Sequence, residues 1–242
     1  MSGLDFLKKK DGVEETTQDR VGGGSFSLDS GVYPVIIDKA YLVNSTSSAS
    51  VGVRIEATTG DGKLYKDTIY VTNKLGENTY LDKNSKPHYL PGFELVNNLS
   101  LIVTGKEISE LTPEDKVIEA YNATLGRNAP TTVKMLMEFV GQSAIFGIVK
   151  TKKFKQAKNQ LSGAYENTAD IVENNELINV FNDAGFTALE IKAKVTEVTF
   201  INQFMEVYKA GYVKDTTSKT GAATGVTNTP SAAPAKSLFG QK

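Results

Sequence analysis

From Gly31 onward the chain alternates. In GVYPVIIDKAYLVNS, Tyr33, Val35, Ile37, Lys39, Tyr41 and Val43 recur at every second position, the period of a strand with one face turned inward. Pro34 has no N–H to donate to a ladder and marks a strand opening or a sheet edge. ASVGVRIEATT alternates again, with Val51, Val53, Ile55 and Ala57 inward and Arg54 and Glu56 outward. The GDG at 60–62 signals a hairpin, because Asp-Gly readily supplies positive φ angles. KLYKDTIYVTN then returns, with Tyr65, Ile69 and Val71 on one face and Leu64, Lys66, Thr68 and Tyr70 on the other. Together these segments predict a three-stranded antiparallel meander.

The period then changes. In PGFELVNNLSLIV, Leu95, Val96, Leu99, Ile102 and Val103 form the stripe of an amphipathic helix. TTVKMLMEFVGQ predicts a second helix closed by Gly141. SAIFGIVKTKKFK reads as a strand with Phe146, Ile148, Lys150, Lys152 and Phe154 on one face. ELINVFNDAGF predicts a short helix, and TALEIKAKVTEVTFINQFMEVYKAG further helix stopped at Gly211. After Val213 the composition turns to Thr, Ser, Ala, Gly and Pro, which predicts a disordered tail. Residues 1–30 read as a flexible arm, with LDFLKKK fit for one amphipathic turn and VGGGS a spacer. The expected organisation is an arm over 1–30, a domain over 31–213 with a helical extension over about 166–212, and a tail over 214–242. The expected class is α+β with a mainly β core, an OB-like small β-barrel with added helices; a generic α+β domain has the same elements.

Residue usage removes much chemistry. The chain has no cysteine, which excludes disulfides, thiolate metal sites and cysteine nucleophiles. His88 is its single histidine, so a His-rich zinc site is excluded and any Ser-His-Asp arrangement has to use that ring. Neither GDGK at 60–63 nor VTGK at 103–106 completes a phosphate-binding loop. Asp61 and Asp67 belong to a turn and a strand edge rather than to a carboxylate cluster, so a metal-dependent nuclease is disfavoured. The expectation is a protein that is not an enzyme and takes no metal or other cofactor. No apolar run approaches the roughly 20 residues that cross a bilayer, and MSGLDFLKKKDG has no signal-peptide core, which points to the cytoplasm.

Charge changes the picture through its distribution. The formal net charge is −1, yet Lys150–Lys158 holds five lysines and no acid, and Glu166–Glu190 holds six acids and no base. The acids read as the wet side of helices lying away from a basic groove, or as partners for the lysines of another copy along a filament. Rings and lysines also mix. A single strand of nucleic acid presents phosphates, which lysines neutralise, and base faces, which aromatic rings cover. Three segments show that mixture: Arg54, Lys66 and Tyr70 in the meander; Lys74, Tyr80, Lys83, Lys86 and Tyr89 in the loop after it; and Lys150, Lys152, Lys153, Phe154 and Lys155 in the late strand. These are the candidate nucleic-acid-binding residues. Tyr65, Phe93 and Phe146 read as core.

The order of elements carries a resemblance: the GVYPVIIDKAYL strand, the VRIEATTGDGKLYKDTIYVT hairpin, a polar loop, YLPGFELVNNL, KMLMEFVGQ and IFGIVKTKKFK. In this the chain resembles the single-stranded-DNA-binding proteins encoded by bacteriophages, those with an OB-fold core. The resemblance implies sequence-tolerant coating of single-stranded DNA during phage DNA replication, recombination and repair in an infected bacterial cell, and pairing of acidic and basic runs between copies is an expected route to self-association on the DNA. The resemblance also implies a C-terminal tail that recruits replication proteins. Such tails are usually acidic, whereas here Lys214, Lys219, Lys236 and Lys242 stand against Asp215 alone. The ending SLFGQK therefore suggests that Phe239 and Lys242 dock a partner such as a polymerase. A protein-interaction or virion structural module would share the meander without salt-sensitive affinity for oligonucleotides.

Overall fold

The structure is a computed structural model that describes residues 27–122, 125–158 and 165–217. The meander is present as β1 (Gly31–Asn44), β2 (Val51–Thr59) and β3 (Leu64–Tyr70). A short hairpin of β4 (Thr79–Leu81) and β5 (Pro87–Tyr89) leads into helix α1 (Pro91–Thr104). A second hairpin joins β6 (Glu114–Asn122) to β7 (Arg127–Met135). Two long strands follow, β8 (Ser143–Lys158) and β9 (Tyr165–Phe181), then the short helices α2 (Ala188–Lys192) and α3 (Phe200–Val207) and a two-residue strand β10 (Lys214–Asp215).

β1 is the central strand. One of its edges pairs with β2. The other serves two strands in turn, β8 along Gly31–Ile36 and β7 at Tyr41 and Leu42. Between them the chain stays hydrogen-bonded to β1: Leu136 N–H donates to Ala40, Gly141 N–H to Ile37, and Ile37 N–H to Gln142. β9 runs antiparallel on β8, while β10 lies parallel on the opposite edge of β8. The result is a mainly β protein with one large, almost wholly antiparallel sheet and few helices. Among the described residues no ladder joins β3 to β9. Side chains bridge that seam instead. Helix α1 packs on both strands, burying Val96 and Leu99, and the Tyr65 ring meets Phe146 edge-on at 5.6 Å.

Register decides which residues face the core. In β1 the pairing steps from Ile37↔Ala57 to Lys39↔Glu56, so Asp38 is an extra residue, a β-bulge. Before it Val35 and Ile37 point inward; after it the inward positions are Ala40 and Leu42. Lys39, Tyr41 and Val43 are thereby moved to the outer face, against the unbroken period-two reading. β2 and β3 keep their expected faces, with Val53, Ile55, Ala57, Tyr65 and Ile69 in the core. β8 is covered on both sides: Phe146 and Ile148 enter the main core, while Ile145 and Val149 meet a second cluster built on Phe181, Ile201 and Phe204. Gly147 permits this, since a Cβ there would lie 2.8 Å from the Phe204 ring.

Three helical expectations are overturned. Residues 131–135 extend β7 and are followed only by a 3-10 turn at Met137–Phe139. Thr131, Thr132 and Val133 are β-branched and pair with Ile118, Val117 and Lys116, a ladder that wins over the apparent helical spacing. Residues 176–181 end β9, and Asn182–Gly185 is a turn in which the Asn182 carboxamide oxygen accepts from the N–H of Ala184 and Phe186. The extension over 166–212 thus begins as strand, and within it only α2 and α3 are α-helix. Both terminal boundaries also shift. Leu28 is buried, and Asn175 bonds both its N–H and its carbonyl, so the last residues of the arm belong to the fold. At the other end β10 and Thr216 attach to β8 through Lys152. The remainder of the expected arm and tail lies outside the described residues.

Two local constraints can be tested. A Cβ on Gly92, in the first turn of α1, would lie 2.2 Å from the Tyr70 carbonyl oxygen. Gly92→Ala is expected to cost about 2 kcal/mol or more in denaturant unfolding, because backbone rather than a flexible side chain must yield. Glu190 joins α2 to α3 by accepting hydrogen bonds from Thr187, Thr199 and Phe200. Desolvation pushes its carboxyl up, but these bonds outweigh it and hold the group down at about 2, from an ordinary 4.5. The stability it contributes is complete above pH 4.5 and is lost as pH falls toward 2. Glu190→Gln should flatten that part of the stability–pH curve in thermal melts between pH 2 and 6.

Candidate nucleic-acid interface

The outer face of the meander is built in registered rows. Lys39, Glu56 and Lys66 stand side by side across β1, β2 and β3; Tyr41, Arg54 and Thr68 form the next row; Val43, Gly52 and Tyr70 the one after. The β6–β7 hairpin joins β1 at Tyr41 and Leu42 and rises as a wall beside these rows. Between face and wall lies a hollow of about 680 Å³, lined by Lys39, Tyr41, Arg54, Lys66 and, from the wall, Thr131 and Lys134.

Its electrostatics centre on one carboxylate. Glu56 Oε2 lies 3.4 Å from Lys39 Nζ and 3.6 Å from Lys66 Nζ, and Oε1 lies 3.7 Å from Arg54 Nε. Three cations thus share a single negative charge. Arg54 is further held by Thr68, whose Oγ1 accepts from Nη1 at 3.3 Å. Tyr41 is buried, and desolvation together with Glu56 raises its hydroxyl pKa. That ring is floor rather than platform. Tyr70 is the open ring, 52% exposed at the end of the outer rows.

Tyr70 also opens a second hollow of about 710 Å³, lined by Ser45, Ser48, Ser50, Thr72, Lys74 and Leu90 among others. The two hollows share no lining residue, although Asn44 of the first and Ser45 of the second are neighbours in the chain. Tyr70 stands in the row next to Arg54 and Thr68 and lines the second hollow with Lys74, so the cations and the open ring lie on the same outer face.

The other candidate residues sit elsewhere. The loop after β3 is an ordered hairpin, in which Tyr80 faces His88 at 5.7 Å between ring centroids and Tyr89 rests on Phe93 at 5.0 Å. Its turn is made by Asp82, whose Oδ1 accepts from the N–H of Lys86 and Asn84; these bonds lower the Asp82 pKa. His88 Nε2 lies 3.3 Å from Asp82 Oδ2. The rings of this loop thus have ring partners of their own, although Tyr89 remains 54% exposed. Tyr80, Lys83, Lys86 and Tyr89 line neither hollow.

Lys150, Lys152, Lys153, Phe154 and Lys155 lie on the part of β8 that runs past the start of β1. The strand path from Tyr41 back to Gly31, across to Ile148 and on to Lys152 is roughly 45 Å at the usual rise. There the acidic segment expected on helices is the partner strand. Lys152 stands opposite Glu173, Phe154 opposite Ile171 and Ala157 opposite Glu166. Lys150 Nζ reaches Glu173 at 3.0 Å and Asp29 at 3.7 Å, Lys152 reaches Glu173 at 3.5 Å, and Lys214 reaches Glu176 at 3.0 Å. The basic and acidic runs thus meet within one chain, in the same ribbon. The three candidate segments do not share one hollow: Arg54 and Lys66 line the first and Tyr70 and Lys74 the second, on one face, while the β4–β5 hairpin tip and the β8 lysines line neither.

Lys39, Tyr41 and Lys134 were missed. The bulge hid the first two, because unbroken alternation assigns them to the core face. Lys134 was assigned to a helix. Phe239 and Lys242 lie outside the described residues, so the proposed docking tail is not placed. Among the described residues no group of three or more His, Asp or Glu side chains could hold a metal ion, and no helix is long and apolar enough to cross a membrane. The chain matches no protein-family model and no curated protein sequence.

Proposed function

We propose that this chain binds single-stranded DNA with little sequence preference, across the outer face of β1, β2 and β3. The reading rests on one observation: three cations gathered around one carboxylate in an open hollow, with an exposed tyrosine on the same outer face. Cations neutralise phosphates and an exposed ring accepts a base face, which are the two handles of a lone strand. The β6–β7 wall narrows the hollow on the β1 side and disfavours a duplex.

On this reading the sheet is an OB-like, partly open barrel. β1, β2 and β3, then α1, then β8 and β9 follow the order of such a fold, and α1 with Tyr65 plugs the seam between β3 and β9. The OB outer face over the second and third strands is the customary place for an oligonucleotide. The protein is a binder rather than an enzyme. Its setting is phage DNA replication, recombination and repair in the bacterial cytoplasm, with self-association on the DNA and a polymerase-like partner docked at Phe239 and Lys242; this part rests on the resemblance and the sequence pattern alone.

A titration of labelled oligo(dT) at several salt concentrations, with a duplex of equal length as control, tests the reading. Four lysine and arginine side chains line the first hollow. Affinity should therefore fall as salt rises, by about 0.7 log units per tenfold rise for each phosphate neutralised. Tyr70→Ala should weaken binding by about 1–3 kcal/mol if the ring stacks on a base. Lys152→Ala, already paired with Glu173, should leave affinity within about twofold. Equal affinity for the duplex, or an unchanged affinity in Tyr70→Ala, would count against this face.

A further inference from the structure

We propose that Lys39, Arg54 and Lys66 form a subsite for one internucleotide phosphate, and that the Glu56 carboxylate occupies this subsite in the free protein. The inference rests on the single-strand reading and adds to it the identity of the phosphate position and of its resident competitor. Glu56 stands in the middle of its row, with the lysines on either side and Arg54 two residues away on the same strand face. Its side chain is 15% exposed, against 39% for Lys39 and 45% for Lys66, so the cations reach over it from the open side.

Both carboxylate oxygens are engaged, one by two ammonium groups and the other by the guanidinium. A phosphodiester likewise offers two free oxygens and one negative charge. It can therefore take the place of the carboxylate among the three cations. The contacts also suit exchange. At 3.4–3.7 Å they are longer than the roughly 2.7–2.9 Å of well-formed charge-assisted hydrogen bonds, whereas the turn pair Lys63–Asp61 closes to 2.7 Å. Among the described residues, the ion pairs of these three cations run to Glu56 alone. The other carboxylate lining the hollow, Glu119, makes no ion pair with them. The arrangement keeps three long side chains gathered before the strand arrives, so less freedom is lost on binding.

The test compares the full-length wild-type chain with Glu56→Gln in oligo(dT) titrations at matched salt. Gln keeps the shape and removes the competing charge. Affinity should rise roughly tenfold, while the salt slope stays the same because the same phosphates are neutralised. In a Lys39→Met, Lys66→Met background the gain from Glu56→Gln should shrink below about twofold, since the subsite is gone. Thermal melts of each variant show whether it folds. If the wild type binds and a folded Glu56→Gln binds equally or more weakly, Glu56 is a structural staple and the subsite assignment falls while the functional reading stands. If neither protein binds at low salt, the functional reading falls and the subsite with it. Binding by Glu56→Gln alone would support both.

Discussion

At Asp38 one extra residue of β1 lies opposite a continuous β2, and the parity of every later residue in that strand is reversed. Side chains in a strand point to alternate faces, so an insertion of one exchanges inside for outside. Had the alternation run on, Lys39 would face the apolar core and Ala40 would face water. With the bulge, Ala40 and Leu42 complete the core, and Lys39 and Tyr41 join Glu56, Arg54 and Lys66 on the outer face. Both the closed packing beneath the sheet and the cationic hollow above it depend on that displacement. The exposed Asp38 carboxylate accepts a hydrogen bond from Thr58 at 2.7 Å.

The same side-chain chemistry has opposite consequences in two places. On the β8–β9 ribbon the basic strand runs beside the acidic one, and Lys150 and Lys152 pair with Glu173 and Lys214 with Glu176. Exposed pairs of this kind contribute little to stability, but they occupy Lys150 and Lys152. On the meander three cations converge on one carboxylate, and a positive excess remains. A near-neutral chain can thus hold one locally basic face. What distinguishes the two regions is the strand that each sequence run meets, not the run itself.

Much of the scaffold was legible in local pattern. The meander, the Asp-Gly hairpin and α1 follow from period two, turn chemistry and period 3.6, each of which concerns residues close in sequence. The helix predicted over 131–142 failed because its apolar spacing suited either state, and pairing of Thr131–Val133 with β6 settled the matter. ELINVF failed for the same reason: its partner, β8, lies some thirty residues upstream. Of the candidate site, Arg54, Lys66, Tyr70 and Lys74 were legible because β2 and β3 keep strict alternation. Tyr80 and Tyr89 looked unsupported in a polar loop, but they pack on His88 and Phe93 of the same hairpin and helix start.

By itself the sequence determined the meander with its outward Arg54, Glu56, Lys66 and Tyr70, the absence of thiol chemistry, and the segregation of basic from acidic runs, because these depend only on residue type and short-range period. Tertiary structure decided where the bulge falls, which strand pairs with the basic run, and that the β6–β7 hairpin walls the outer face to make a hollow. Those outcomes depend on pairing between segments far apart in the chain. There, a shift of one residue or a choice of partner strand leaves no trace in local composition yet turns a buried position into an exposed one.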